Sequence, residues 1–259
     1  MIKALTQKKR SFMTRFLRVG DIPALLDLER RQWTAEQAAD SADFRARIEA
    51  HPDLCGGAFC TRTGELLASV FAKPTDDAEW TAPGSWAQSA SLEGRVAERL
   101  PRQRRARCMF GISLTSVDPG AAVQLLAFYY LYLLKRGYSE IFLGSPMPGL
   151  KRYLARHPDA SVETYARTTR SGLPIDPQLR YYHGKGWKEI VAVKENYFPH
   201  EASCDYGAIL KARVPFRHLA LLFRFVPVPL LRTVSALAPR FTLPTEETRS
   251  TSDAPAGAT

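Results

Sequence analysis

The sequence is poor in cysteine and holds no arrangement of it that suits a metal. Cys55, Cys60, Cys108 and Cys204 form no Cys-x-x-Cys pair and no zinc spacing with the five histidines, so no metal site is expected and the thiols are read as reduced. No stretch of about 20 uncharged apolar residues occurs, so no segment is expected to span a bilayer. The N-terminus lacks an apolar run of signal-peptide length, so secretion is not expected and a cytoplasmic protein is the reading. Internal repeats are absent. Biased composition is confined to 242–259, a Thr-, Ser-, Pro-, Ala- and Glu-containing stretch read as a flexible tail. No helix-turn-helix, zinc or aromatic-platform pattern is present, which removes nucleic acid from the expected partners.

Acidic residues are missing from two long segments. Residues 1–18 carry Lys3, Lys8, Lys9, Arg10, Arg15 and Arg18 without an acid, and residues 211–240 carry Lys211, Arg213, Arg217, Arg224, Arg232 and Arg240 without one. With the run Arg102, Arg104, Arg105 and Arg107 they account for much of the net charge of +10. Such a field attracts anions: cofactor phosphates, an acidic carrier protein or anionic lipid.

What is present is an alternation of strand and helix signals. Thr14–Val19 reads as a strand, and Asp21 as the cap of a helix with Ile22, Leu25, Leu26 and Leu28 on its apolar face and Pro23 in its first turn. Asp43–Ala50 reads as a second helix. Gly57–Thr61 and Leu66–Ala72 flank Arg62-Thr63-Gly64-Glu65, a hairpin signal. Within the polar stretch 74–104, Leu92–Leu100 reads as helical. Cys108–Val117 is a strand with Phe110, Ile112 and Leu114 alternating, ended by Asp118-Pro119-Gly120. Ala121–Arg136 is a strongly apolar helix closed by Lys135, Arg136 and Gly137. Ile141–Gly144 is the next strand, which makes a right-handed βαβ unit with a parallel pair. Pro177–Gly186 is a short helix, and Glu189–Lys194 and Tyr206–Arg213 are closing strands. About seven strands and four helices give an α/β (α+β) fold with one mixed, mostly antiparallel central sheet.

Three local patterns resemble the GNAT superfamily of acyltransferases. Arg18-Val19-Gly20-Asp21-Ile22-Pro23-Ala24-Leu25-Leu26 is similar to its first strand and helix. Gly64-Glu65-Leu66-Leu67-Ala68-Ser69-Val70 is similar to its second-to-third strand hairpin. Tyr182-His183-Gly184-Lys185-Gly186-Trp187 resembles its late Tyr-x-x-x-Gly-aromatic signature. A narrower likeness, in Asp176-Pro177-Gln178-Leu179-Arg180-Tyr181, Asn196-Tyr197 and Asp205-Tyr206-Gly207, is to the GNAT-like domains of polyketide synthase loading modules and of carbon–nitrogen hydrolase fusions. The resemblance covers residues 14–213. It leaves 1–13 as a basic extension, 214–241 as a basic, apolar C-terminal extension and 242–259 as a tail.

The resemblance implies an acyltransferase that takes an acyl group from acetyl-CoA, another acyl-CoA or a carrier-protein phosphopantetheine and passes it to a small-molecule acceptor, an amine in most of the fold. The crevice is expected between Phe110–Ser116 and Ile141–Ser145. A backbone N–H of the earlier strand would polarise the thioester carbonyl, and Tyr182, with Tyr181 as the alternative, would protonate the leaving thiolate. Leu114, Thr115, Ser116, Val117, Gly120, Ala121 and Ala122 would hold the cofactor, its pyrophosphate on the helix N-terminus.

The sequence departs from the family in two places. The phosphate loop is shortened to Asp118-Pro119-Gly120-Ala121-Ala122. The decarboxylating relatives use a His, a Thr and an Arg, and Tyr182, Pro146 and Phe198 stand there instead, which argues against decarboxylation. A non-catalytic domain that docks an acyl carrier protein is the other alternative. The extension 214–241, interrupted by Pro227 and Pro229, is expected to fold back on the domain, with peripheral membrane contact as a secondary role.

Overall fold

The computed structural model describes residues 11–33, 38–75, 84–92 and 107–237. In chain order the elements are β1 (Phe12–Phe16), α1 (Ile22–Arg30), α2 (Ser41–Ala50), β2 (Cys55–Cys60), β3 (Leu66–Thr75), α3 (Trp86–Ala90), β4 (Arg107–Ser116) and α4 (Pro119–Arg136). There follow β5 (Tyr138–Pro146), α5 (Leu150–Leu154), α6 (Val162–Arg167), a small hairpin of β6 (Thr169–Arg170) and β7 (Leu173–Pro174), and α7 (Pro177–Gly184). The chain ends with β8 (Glu189–Lys194), β9 (Gly207–Arg213), α8 (Ala220–Phe223) and α9 (Val228–Leu237). Most of the expected helix Leu92–Leu100 and the tail 242–259 lie outside the described residues.

Seven strands form one sheet in the order β1-β2-β3-β4-β5-β9-β8. The β4–β5 pair is parallel, and the other neighbouring pairs are antiparallel. Because successive side chains alternate across a strand, the sheet has two apolar faces. On one, Leu25 and Leu28 of α1 and Phe44 and Ile48 of α2 pack on Phe59, Phe71, Phe110 and Phe142. On the other, Leu125, Tyr129 and Leu133 of α4 pack on Ala58, Val70, Met109 and Ile141. A third cluster joins Leu150 of α5, Tyr165 of α6 and Leu179 of α7 to Ala208 and Leu210 of β9. The long helix closes at Gly137, whose φ of 76° is the left-handed cap that glycine adopts without a Cβ clash.

Several local expectations are corrected. The first strand runs Phe12–Phe16 rather than Thr14–Val19. Asp21 precedes α1, but its carboxylate does not cap that helix. It turns back to accept from Arg18 N (2.8 Å) and from both terminal nitrogens of Arg15 (2.7 Å each), bracing a 3-10 turn over Val19–Asp21. The cap of α2 is Asp40, through Asp43 N at 2.8 Å. In β4 the alternation breaks at a bulge. Ala72 opposes Gly111 and Phe71 opposes Ser113, so Ile112 is the extra residue. Leu114 therefore sits opposite Val70, on the α4 face, and is 41% exposed rather than in the core. The stretch 147–175, which carries no clear period, folds as α5, α6 and the β6–β7 hairpin.

The Arg15–Asp21 pair gives a pH-dependent prediction. The Arg15 guanidinium holds the Asp21 carboxyl below the usual carboxylate range. A depressed carboxyl adds stability that is present above its unfolded pKa and lost as pH falls through its folded value. Asp21→Asn is expected to cost about 1 kcal/mol at neutral pH and much less under acid conditions where Asp21 is protonated. Denaturant melts of both proteins across pH check this, and a difference independent of pH would contradict it.

Candidate active site

The parallel β4–β5 ladder runs from Arg107–Tyr138 to Gly111–Leu143 and then stops. Beyond that point β4 stays on β3 as far as Ser116, and β5 stays on β9 as far as Pro146. The two strands therefore part at the bulge, and alternate backbone groups of Ile112–Ser116 face the gap. The gap is shorter than expected, because Phe110, Gly111, Ile141 and Phe142 are still paired. Gly144, on the gap side of β5, lacks the Cβ that would meet the Tyr197 ring at 2.5 Å. Tyr197 is 1% exposed and fills this place from the α1–α2 face.

On the α4 face, α7 carries Tyr182. Its start is fixed by Asp176, which is fully buried and accepts from Gln178 N (2.9 Å), Leu179 N (3.1 Å), Gly149 N (3.0 Å) and Tyr165 Oη (2.8 Å). Four donors on one carboxylate satisfy a charge that burial would otherwise penalise heavily. Tyr182 packs in the same cluster as Leu143, the last residue of β5 paired with β4, and edge-on against Trp187 at 6.1 Å. Burial pushes its phenol above the ordinary value, and a bond with Gln178 offsets part of that. Tyr181 lies edge-on to Tyr182, ring centres 5.4 Å apart, but is 55% exposed, with Lys185 Nζ 5.7 Å from its ring centre.

The opposite face of the gap holds a group that the sequence reading passed over. Glu29 of α1 is buried, and Thr115 Oγ1 of β4 donates to its Oε1 at 2.6 Å. The same Thr115 oxygen accepts from Trp33 Nε1 at 2.9 Å. Thr115 opposes Ser69, two residues from Phe71, which puts it on the α1–α2 face. A signal for Glu29 exists in the sequence: it stands four residues after Leu25 and seven after Ile22, an acid on the buried stripe of α1. Nearby Arg47 is also buried, which pushes its guanidinium below its ordinary value, and Asp43 and Glu29 partly offset this.

The expected cofactor residues are arranged unequally. Leu114 is exposed beside the gap, and Ser116 Oγ donates to Leu67 O (3.3 Å) and Asp118 O (2.9 Å). Val117 N is bonded to Leu67 O at 3.0 Å. At the start of α4, Gly120 N (2.9 Å) and Ala121 N (3.1 Å) both donate to Asp118 Oδ1, and Ala122 N donates to Asp118 O at 3.1 Å. Pro119 has no N–H. Two of the amides that could cradle a pyrophosphate, those of Gly120 and Ala121, are thus held by the Asp118 carboxylate as by an N-cap.

No protein-family model matches the sequence, and no curated protein matches it. Solved structures do. The GphF GNAT-like decarboxylase, determined in complex with isobutyryl-CoA, is 21% identical with a TM-score of 0.57, over 78% of this chain and 98% of that one. The loading GNAT-like domain of CurA from Lyngbya majuscula is 17% identical with a TM-score of 0.56 over the same shares. Malonyl-CoA decarboxylase from Rhodopseudomonas palustris is 16% identical with a TM-score of 0.51, over 82% of this chain and 63% of that one. The chain has the GNAT fold.

Within the GNAT fold, the narrower motifs of the second half are architectural. Asp176 caps and anchors α7. Asn196 takes a φ of 51° and Asp205 a φ of 60°, in a turn tied by Tyr197 N to Asp205 O at 2.8 Å. A Cβ on Gly207 would collide with the rings of Tyr197 and Phe198. A cavity of about 400 Å³ lined by Arg15, Arg18, Asp53 and Arg232 lies at the β1 edge, three strands from the gap. Asp176→Ala is expected to destabilise the fold by about 2–3 kcal/mol by leaving buried donors unmatched. Chemical denaturation measures this, and a loss below about 0.5 kcal/mol, the level of a neutral surface change, would contradict the assigned role.

Proposed function

We propose that the protein is an acyltransferase that moves an acyl group from a phosphopantetheine thioester to an amine. The observation that carries this reading is the gap between β4 and β5 beyond Gly111–Leu143, opened at the Ile112 bulge. A pantetheine arm fits such a gap as a third, extended strand would. It takes hydrogen bonds from the alternate backbone groups of Ile112–Ser116, with exposed Leu114 beside it. The thioester carbonyl meets a β4 N–H, which stabilises the oxyanion as the amine attacks.

The two faces of the gap divide the proton transfers. The C–N bond forms as the C–S bond breaks. The leaving thiolate takes a proton from Tyr182 on the α4 face, and the acceptor nitrogen loses one toward Glu29 on the α1–α2 face. Burial raises the Tyr182 phenol above its ordinary value, so it is protonated at neutral pH and can donate to the sulfur as the C–S bond breaks. Glu29 is oriented by Thr115 to take the one proton that a neutral amine sheds as its nitrogen attacks. Asp118 occupies the amides that a CoA pyrophosphate would need, so recognition rests on the pantetheine and acyl parts, and a carrier-borne arm serves as well as CoA.

The test is turnover of acetyl-CoA and of acetyl-S-pantetheine with a panel of amines, read by thiol release and by the mass of the acylated amine. Both donors are expected to react, with kcat/KM values within about tenfold, one phosphate contact being worth on the order of 1.4 kcal/mol or less here. Tyr182→Phe is expected to lower kcat by roughly 10²-fold with little change in KM, and Glu29→Gln to lower it by a similar factor. Release of CO₂ from a malonyl donor without acyl transfer would replace this reading with decarboxylation. Silence with every donor would replace it with carrier-protein docking.

A further inference from the structure

The segment that follows β9 is half inside the molecule and half outside. Val214 is buried in the α4-side core, and Leu231 and Ser235 of α9 are buried. Lys135 Nζ of α4 reaches Arg224 O at 2.6 Å, and the Arg232 guanidinium lies 5.7 Å from the centre of the Phe128 ring. These contacts fix the segment on α4. Yet Phe216, Leu221, Leu222, Phe225, Leu230 and Val234 are exposed, Phe225 at 83% and Leu221 at 76%. A helix laid down only to cover the core would turn such residues inward, because each buried Leu or Phe is strongly favourable. Here the core-facing positions are filled and a second apolar set is left on the outside.

The charge around that set has one sign. Arg217, His218 and Arg224 are exposed among the apolar residues, and no Asp or Glu occurs between Asp205 and Glu246. Arg217 is paired with Glu140 of β5 at 3.9 Å. Exposures of this size mean that the side chains stand out from the surface rather than line a groove, and Pro227 and Pro229 mark the break between the four-residue α8 and the ten-residue α9. A protein partner usually seats its anchors in desolvated pockets. Projecting Phe and Leu side chains flanked by Arg instead suit the boundary of a bilayer, where rings and alkyl chains enter the acyl region and guanidinium groups meet phosphate. Among the described residues no helix is long and apolar enough to cross a membrane, so the contact would be with one leaflet.

We infer that residues 216–234 form a docking surface for anionic membranes. The first half of the segment sits at the start of β4 and β5, the end away from the gap, with Val214 N on Ser139 O and Arg217 beside Glu140. The inference does not depend on the reaction assigned to the gap.

Vesicle co-sedimentation of the full chain tests it, with phosphatidylcholine vesicles and with vesicles that also contain phosphatidylglycerol. The chain is expected to pellet with the anionic vesicles and to be released by high salt. Leu221→Glu/Phe225→Glu is expected to lose at least about tenfold in partitioning, with an unchanged thermal melt because both side chains are exposed. Arg217→Ser/Arg224→Ser is expected to lose roughly tenfold on anionic vesicles only. Failure of the unaltered chain to pellet, or equal pelleting of the Glu variant, would overturn the proposal. So would a dimer in sedimentation velocity that the Glu variant abolishes without any vesicle binding, since the surface would then pair two copies of this chain.

Discussion

Two parallel strands of one sheet can part only if each keeps a partner on its far side. β4 keeps β3 to Ser116 and β5 keeps β9 to Pro146, so the backbone cost of the separation falls only on the groups that face the gap. The Ile112 bulge turns the alternation of β4 at the fork, and Gly144 with Gly207 leaves room for the Tyr197 ring against β5 and β9. The remaining parts of the candidate site are hung from this fork. α7 presents Tyr182 from one face because Asp176 pins its first turn, and α1 presents Glu29 from the other because Thr115 holds it. A thioester in the fork would have its leaving sulfur and its incoming nucleophile served by different faces of the sheet.

The start of α4 sets what kind of donor such a fork can take. A helix N-terminus attracts anions through its unpaired N–H groups and its dipole. In this chain Asp118 supplies the anion internally, in the usual manner of an N-cap. The same two bonds that stabilise the helix compete with a phosphate for the Gly120 and Ala121 amides. The proposed function therefore rests on the short thioester end of the donor.

Much of this was readable in the sequence. All seven strands of the main sheet are signalled by alternation or by turn residues, and the βαβ unit follows from the apolar run 121–136 between two of them. The elements that escaped are short: α5 has five residues and α6 six, less than two turns, too few for a 3.6-residue period to stand out. Of the candidate site, Tyr182 is proposed from its distance to Gly186, and Glu29 requires noticing one acid on an otherwise apolar stripe. Asp118-Pro119 reads as the end of a strand until the helix N-cap pattern is applied to it. The bulge at Ile112, which decides where the fork opens, has no signature in residues 108–117 themselves. It arises from register against β3, a non-local property.

Amide hydrogen exchange, followed by mass spectrometry with and without a short acyl-S-pantetheine, examines the fork itself. The account predicts slowed exchange within 112–116 and 144–146 on adding the thioester, and no change at 120–122, where Asp118 already holds the amides. Protection confined to 120–122, or none on β4 at a saturating concentration, would contradict it.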